Sequence, residues 1–160
     1  MCVRLGNTCG RRIGCGDEPL DSVMTSGETE RIARGLIDRT LPKAEWTHDA
    51  HLRAGLWHVR KYGAAPALPL LRARIMSYNE SVGTANTDTS GYHETITRFY
   101  VVVIDRFLAG VDRGDDLDTL ARQLIARYGD RKLPLHHYSE GRLFSVVARR
   151  SWVEPDLRPI

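Results

Sequence analysis

The sequence lacks any long apolar run. The stretch from Tyr100 to Ile104 is typical of its apolar segments, and it is far shorter than the roughly 20 apolar residues that a membrane-spanning helix requires. The first residues include arginines but no apolar stretch of the kind found in secretory signals. We therefore expect a cytoplasmic protein with no membrane span.

Cysteine is scarce and confined to one end of the chain. The three cysteines, Cys2, Cys9 and Cys15, have spacings that fit neither a C-x-x-C redox pair nor a common zinc-binding motif. Their odd number argues against a disulfide framework. The surrounding residues 1–24 are rich in glycine and show no helical or strand periodicity. This composition predicts a disordered leader over 1–24, followed by a folded domain over 25–160.

No concentrated basic segment is present either. The formal net charge of +3 arises from 23 basic and 20 acidic residues that are spread along the chain, which argues against a nucleic-acid partner. A chain of 160 residues with 42% hydrophobic residues is long enough to bury a core of its own. Any bound metal would therefore serve function rather than stability.

Apolar residues recur at three- and four-residue steps over most of the chain. This periodicity predicts an all-α, single-domain bundle of about five to six helices. Thr25 or Ser26 is the expected N-cap of helix 1, Thr47 that of helix 2, and Asp116 or Asp118 that of helix 5. The predicted helices end near residues 40, 62, 82, 109 and 128, and short helices follow over about 139–144 and 146–152.

Helix 4, from residue 92 or 93 to 109, is predicted to be the central element. Its three consecutive valines within Tyr100–Ile104 also suit a buried strand. The recurrence of Ile96, Tyr100, Val103 and Phe107 at helical spacing favours a helix instead.

Helix 2 places several histidines on one side. At about 100° per residue, His48, His51 and His58 fall with Gly55 inside an arc of roughly 120°. Gly55 costs helix stability of about 1 kcal/mol relative to alanine. The free space at Gly55 would admit either a crossing helix or a ligand. His58 lies two turns beyond His51 and fits a hydrogen-bonded core residue.

Helix 4 adds His93 and Glu94 at its first turn. If helices 2 and 4 pack side by side, His48 or His51 would meet these two residues. Imidazoles and a carboxylate from facing helices suit Zn²⁺, Fe²⁺, Mn²⁺ or Ni²⁺ with one open position. We therefore predict a divalent metal held by His48, His51 and His93, with Glu94 as fourth ligand or general base. A metal-bound water would then support hydrolysis or group transfer on a small molecule.

Two other functions fit the same residues. The histidines could hydrogen-bond a small-molecule ligand in a metal-free pocket between helices. Alternatively, the chain could be a protein-interaction domain in which the histidines are structural core groups and Glu94 only complements the dipole of its helix. The sequence does not fix the oligomeric state.

Two short segments of the sequence resemble segments of other proteins. Residues Trp46-Thr-His-Asp-Ala-His-Leu52 and Tyr92-His-Glu-Thr-Ile-Thr97 resemble a group of small bacterial helical proteins, and the similarity spans most of residues 28–155. It implies no particular activity. The architecture is also similar to DinB-like four-helix bundles, which use a histidine triad for a divalent metal and include thiol transferases, but their later H-x-x-x-H pair has no counterpart here.

Overall fold

Seven α-helices and two short 3₁₀ helices make up the computed structural model, which describes residues 27–112 and 114–160. These described residues contain no strand, so the all-α prediction is confirmed. The α-helices are α1 (Glu28–Asp38), α2 (His48–Tyr62), α3 (Ala64–Ser81), α4 (Glu94–Ala109), α5 (Leu117–Tyr128), α6 (Glu140–Leu143) and α7 (Val146–Arg150). The 3₁₀ helices span Lys43–Glu45 and Leu133–His136. The predicted leader over 1–24 lies outside the described residues.

Helix α2 is the centre of the bundle. It packs against α1, α3, α4 and α5, whereas α4 packs mainly against α2, α3 and α7. The prediction that α4 is central is therefore wrong. The small buried residues Ala50, Ala54 and Gly55 of α2 let neighbouring helices approach closely on several sides, and a helix buried on most sides must be largely apolar.

Local capping fixes where α2 and α5 begin. The Thr47 hydroxyl accepts the N–H of Ala50 at 3.3 Å, and the Asp116 carboxylate accepts the N–H groups of Asp118 and Thr119 at 3.0 Å each. Both caps match the sequence prediction, because short oxygen-bearing side chains satisfy the free N–H groups of a first turn.

Helix α1 begins in a different way from the one predicted. Its N-cap is Gly27, with no side-chain cap of its own, so the assignment of Thr25 or Ser26 is wrong. The carboxylate of Asp118, on α5, accepts the Thr29 N–H at 2.8 Å instead. A Cβ at residue 27 would lie 2.1 Å from Oδ2 of Asp118. Only glycine therefore leaves room for this distant capping group.

A second, smaller core holds the C-terminal segment against α4. It consists of Phe99, Val103, Tyr138 and Leu143. The Thr95 hydroxyl also donates to the Ser151 carbonyl at 2.9 Å. These contacts place α6 and α7 over the first turns of α4. Within the described ranges, no helix combines the length and the apolar character needed to cross a membrane.

Candidate functional site

A cavity of about 530 Å³ lies among α2, α3, α4 and the C-terminal segment. His48, His51 and His93 all line it, and we call it the histidine cavity. Most of its wall is apolar and comes from the three long helices: Leu52, Leu71, Ile75, Ile96, Val101 and Ile104. The predicted approach of helices 2 and 4 thus occurs, and their first turns meet at this cavity.

His51 presents an unpaired nitrogen from α2. Its Nδ1 donates to the Thr47 carbonyl at 2.6 Å, which leaves Nε2 as the acceptor of a neutral ring. Nε2 has no hydrogen-bond partner among the described residues. The Trp46 ring lies against His51 with a centroid separation of 3.8 Å. The imidazole is exposed, but protein surrounds it on most sides, and this desolvation lowers the pKa of His51.

His48 sits one turn earlier, edge-on to the Tyr100 ring at a centroid distance of 5.4 Å. Its Nε2 is buried and has no hydrogen-bond partner, unlike every other buried side-chain nitrogen or oxygen of the described residues. Burial lowers the pKa of His48, and the positive charge of Arg131 lowers it further. His48 is therefore a neutral, incompletely satisfied group in the cavity wall.

His93 has a structural role at the start of α4. Its Nδ1 accepts the Ile96 N–H at 3.3 Å as the N-cap, and its Nε2 donates to the Leu143 carbonyl at 3.0 Å. Burial, reinforced by the charge of Arg149, lowers the pKa of His93 to about 4. Both nitrogens of the neutral ring are thus committed, so a metal ion would have to displace one of these bonds.

Glu94 does not line the histidine cavity. Its carboxylate is buried against Arg72 of α3, whose Nε donates to Oε2 at 2.8 Å, and the Tyr92 hydroxyl donates to the same oxygen at 2.8 Å. Burial alone would raise the pKa of Glu94, but the hydrogen bonds from Arg72 and Tyr92 outweigh it and lower the pKa. In this position the carboxylate is an ion-pair partner, and it is poorly placed to be a fourth ligand or a general base for the histidines.

His58 lies outside the cavity lining. It is fully buried, and its two nitrogens contact the Ala54 carbonyl and Nη1 of Arg74, each at 2.6 Å. The expectation of a hydrogen-bonded core residue is confirmed. Gly55, one turn before it, does face the cavity.

Two arginines of the cavity were not predicted from sequence. Arg131 follows α5, and Arg149 belongs to α7. Both are distant in sequence from the histidines, and neither stands in a recognisable motif. Only the docking of the C-terminal segment on α4 brings them to the site.

The described ranges contain no group of three His, Cys, Asp or Glu side chains placed to hold a metal ion. No protein-family model, no curated protein and no solved structure matches this chain.

Proposed function

We propose that this protein binds a small organic molecule in the histidine cavity, without a metal. The observation that carries the proposal is a cavity of about 530 Å³ whose wall holds polar groups with no partner. This volume falls within the roughly 300–1,000 Å³ typical of small-molecule sites. Such sites combine a mostly apolar wall with a few polar groups that orient the ligand.

The apolar part of the wall supplies affinity. Leu71 and Ile75 of α3 line the cavity together with Val101 and Ile104 of α4. A ligand with an apolar body removes these side chains from water, at roughly 25 cal/mol for each Å² of apolar surface buried. The bound molecule would also exclude the water that otherwise fills the space.

The polar groups supply orientation. Nε2 of His51 can accept a hydrogen bond from a ligand N–H or O–H, and Arg131 can donate. The unpaired Nε2 of His48 costs about 1–3 kcal/mol while it lacks a partner. A small rotation of the His48 ring on ligand entry would relieve that cost, so ligand binding is expected to stabilise the folded protein.

The metal-dependent hydrolase or transferase predicted from His48, His51, His93 and Glu94 stays a prediction. The arrangement described above favours it less than a metal-free site, because both nitrogens of His93 are occupied and Glu94 is paired with Arg72. Elemental analysis of untagged protein measures this directly. About one equivalent of Zn, Fe, Mn or Ni, lost in His51→Ala, would support the metal site.

The test of the proposed function is a thermal-shift screen of apolar-bodied small molecules in buffer containing EDTA. A ligand present at 100 times its Kd should stabilise the protein by about 2.7 kcal/mol. That corresponds to roughly 5–10 °C in Tm for a chain of this size. A shift that depends on the ligand and survives EDTA is the expected result.

A pair of valine substitutions provides the control. Val101→Phe places extra volume into the cavity wall, whereas Val147→Phe makes the same change at an exposed position outside it. The shift should disappear in Val101→Phe and persist in Val147→Phe. If Val101→Phe fails to fold, Ile96→Phe on the half-buried part of the wall serves instead. Equal shifts in all folded variants would refute binding in this cavity.

A further inference from the structure

The charged side chains that line the histidine cavity are all of one sign. Arg131 and Arg149 line it, and no Asp or Glu does so among the described residues. The histidines in the wall are neutral at physiological pH because their pKa values are lowered. The mainly apolar lining therefore carries two positive charges and no negative one, while Asp49 and Asp130 lie outside it and raise the pKa of His48.

Arg131 is available to a ligand. Its side chain is exposed and forms no hydrogen bond or ion pair with the described residues. Other arginines near the bundle core are engaged, as Arg72 is with Glu94 and Arg53 is with Asp118. The charge of Arg131 nevertheless reaches the cavity, because it contributes to the lowered pKa of both His48 and His51.

Arg149 supplies a second positive charge to the cavity lining. Its Nη1 donates to the carbonyls of Gly91 and Tyr92, at 3.2 and 3.1 Å. These bonds fix the guanidinium beside His93, whose pKa it lowers. The first turns of α2 and α4 also line the cavity, and helix N-termini add partial positive charge. Arg149 thus contributes to the field, while Arg131 keeps all of its donors free.

We infer that the ligand of the histidine cavity is an organic carboxylate with an apolar body, and that Arg131 binds its carboxylate group. This inference rests on the proposed function and names its ligand class. A guanidinium presents paired donors that match a carboxylate. One unpaired guanidinium beside an apolar cavity suits a single negative charge on an otherwise apolar molecule.

The experiment compares matched head groups on the same apolar body. Straight-chain carboxylates of six to twelve carbons, with octanoate as the reference, are titrated by calorimetry alongside the corresponding alcohols and amines. Octanoate should bind about tenfold or more tightly than 1-octanol, because hydrogen bonds to charged groups are stronger than neutral ones. Octylamine should bind weakest. The preference for octanoate should shrink as salt is raised.

Two arginine variants locate the effect. Arg131→Gln should remove the preference for octanoate over 1-octanol, because it weakens the binding of octanoate much more than that of 1-octanol. Arg127→Gln makes the same change of net charge on the exposed face of α5, outside the cavity lining. It should keep the preference, which separates a local contact from the overall charge of the protein.

The outcomes separate this inference from the proposed function. If alcohols bind as tightly as carboxylates to the natural sequence, the carboxylate inference fails while small-molecule binding stands. If Arg131→Gln keeps the preference, Arg131 is not the recognition residue and the inference also fails. If no carboxylate of the series binds with a Kd below about 1 mM, the inference is overturned. The library screen in EDTA then decides the proposed function separately.

Discussion

Arg72 on α3 and Glu94 on α4 form a two-point ion pair, with Nε to Oε2 at 2.8 Å and Nη2 to Oε1 at 2.5 Å. The Glu94 side chain is 8% exposed, whereas that of Arg72 is 45% exposed. The pair therefore joins two helices at a position where the carboxylate is buried and the guanidinium is still partly exposed to water. This asymmetry decides which partner costs more to remove.

Arg72→Gln should destabilise the protein more than Glu94→Gln. The first change leaves a buried carboxylate with only the Tyr92 hydroxyl, and we expect a loss of about 1–3 kcal/mol. The second removes the charge that needed a partner, so the loss should be smaller. Urea unfolding measures the stability of both variants.

Ligand affinity in the histidine cavity should be unchanged in Glu94→Gln. A loss of turnover with intact stability in this variant would instead support Glu94 as a general base.

His93 should behave as a helix cap when it is replaced. His93→Ala removes the acceptor for the Ile96 N–H and the donor for the Leu143 carbonyl. Loss of an N-cap alone costs about 0.5–2 kcal/mol. Asparagine is a good N-cap, so His93→Asn should recover part of this loss. Thermal unfolding of the two variants, compared with the natural sequence, checks the order. Equal stability of the alanine and asparagine variants would contradict the capping role.

Stability should fall as the pH drops from about 6.5 towards 4. His58 and His93 both have a folded-state pKa of about 4, and burial is the main cause. The unfolded chain, with pKa values near 6.5, binds the protons first, so acid favours unfolding. Each histidine should contribute a slope of about 1.4 kcal/mol per pH unit within this window.

Chemical denaturation at a series of pH values measures that slope. Methionine does not titrate in this range. The slope of His58→Met should therefore be smaller by about 1.4 kcal/mol per pH unit, which corresponds to one proton. A slope that is the same with and without His58 would mean that folding does not lower the pKa of His58. Above pH 7 both proteins should show little dependence from this source.

Gly55→Ala should reduce ligand affinity more than stability. A Cβ at this position would lie 2.7 Å from Cδ1 of Ile104, and both residues line the histidine cavity. A shift of the Ile104 methyl group into the cavity would occupy ligand space. Alanine improves helix propensity by about 1 kcal/mol, which offsets the cost of that shift.

Gly141→Ala is the matched control, because a Cβ there meets nothing within 4 Å. It should leave ligand affinity unchanged. Calorimetric titration and thermal unfolding of both variants give the two quantities. Unaltered affinity in Gly55→Ala would show that the ligand does not approach this part of α2.

The helices could be predicted from sequence because their signals are local. Thr47, a polar residue before an apolar stripe, correctly predicted the start of α2, and Gly63 correctly predicted its end. The valines at 101–103 were correctly assigned to a helix, since the apolar spacing on both sides was helical. The cap of α1 was missed because its acceptor, Asp118, lies 89 residues away.

The candidate site was predicted only in part, for the same physical reason. Helical periodicity placed His48 and His51 on one face of α2, and the structure puts both at the cavity with His93. Periodicity could not reveal that His93 would cap its own helix or that Glu94 would turn to Arg72. These outcomes depend on the packing of α3 and the C-terminal segment, which no local pattern encodes.

The distant cap of α1 constrains the order in which the chain can assemble. Until α5 docks, the first turn of α1 lacks the carboxylate that accepts the Thr29 N–H, and Gly27 offers no substitute. During synthesis the Thr29 N–H therefore cannot meet this carboxylate until residue 118 has emerged. Among the described helices, the first to be synthesised thus depends on a later one for its cap.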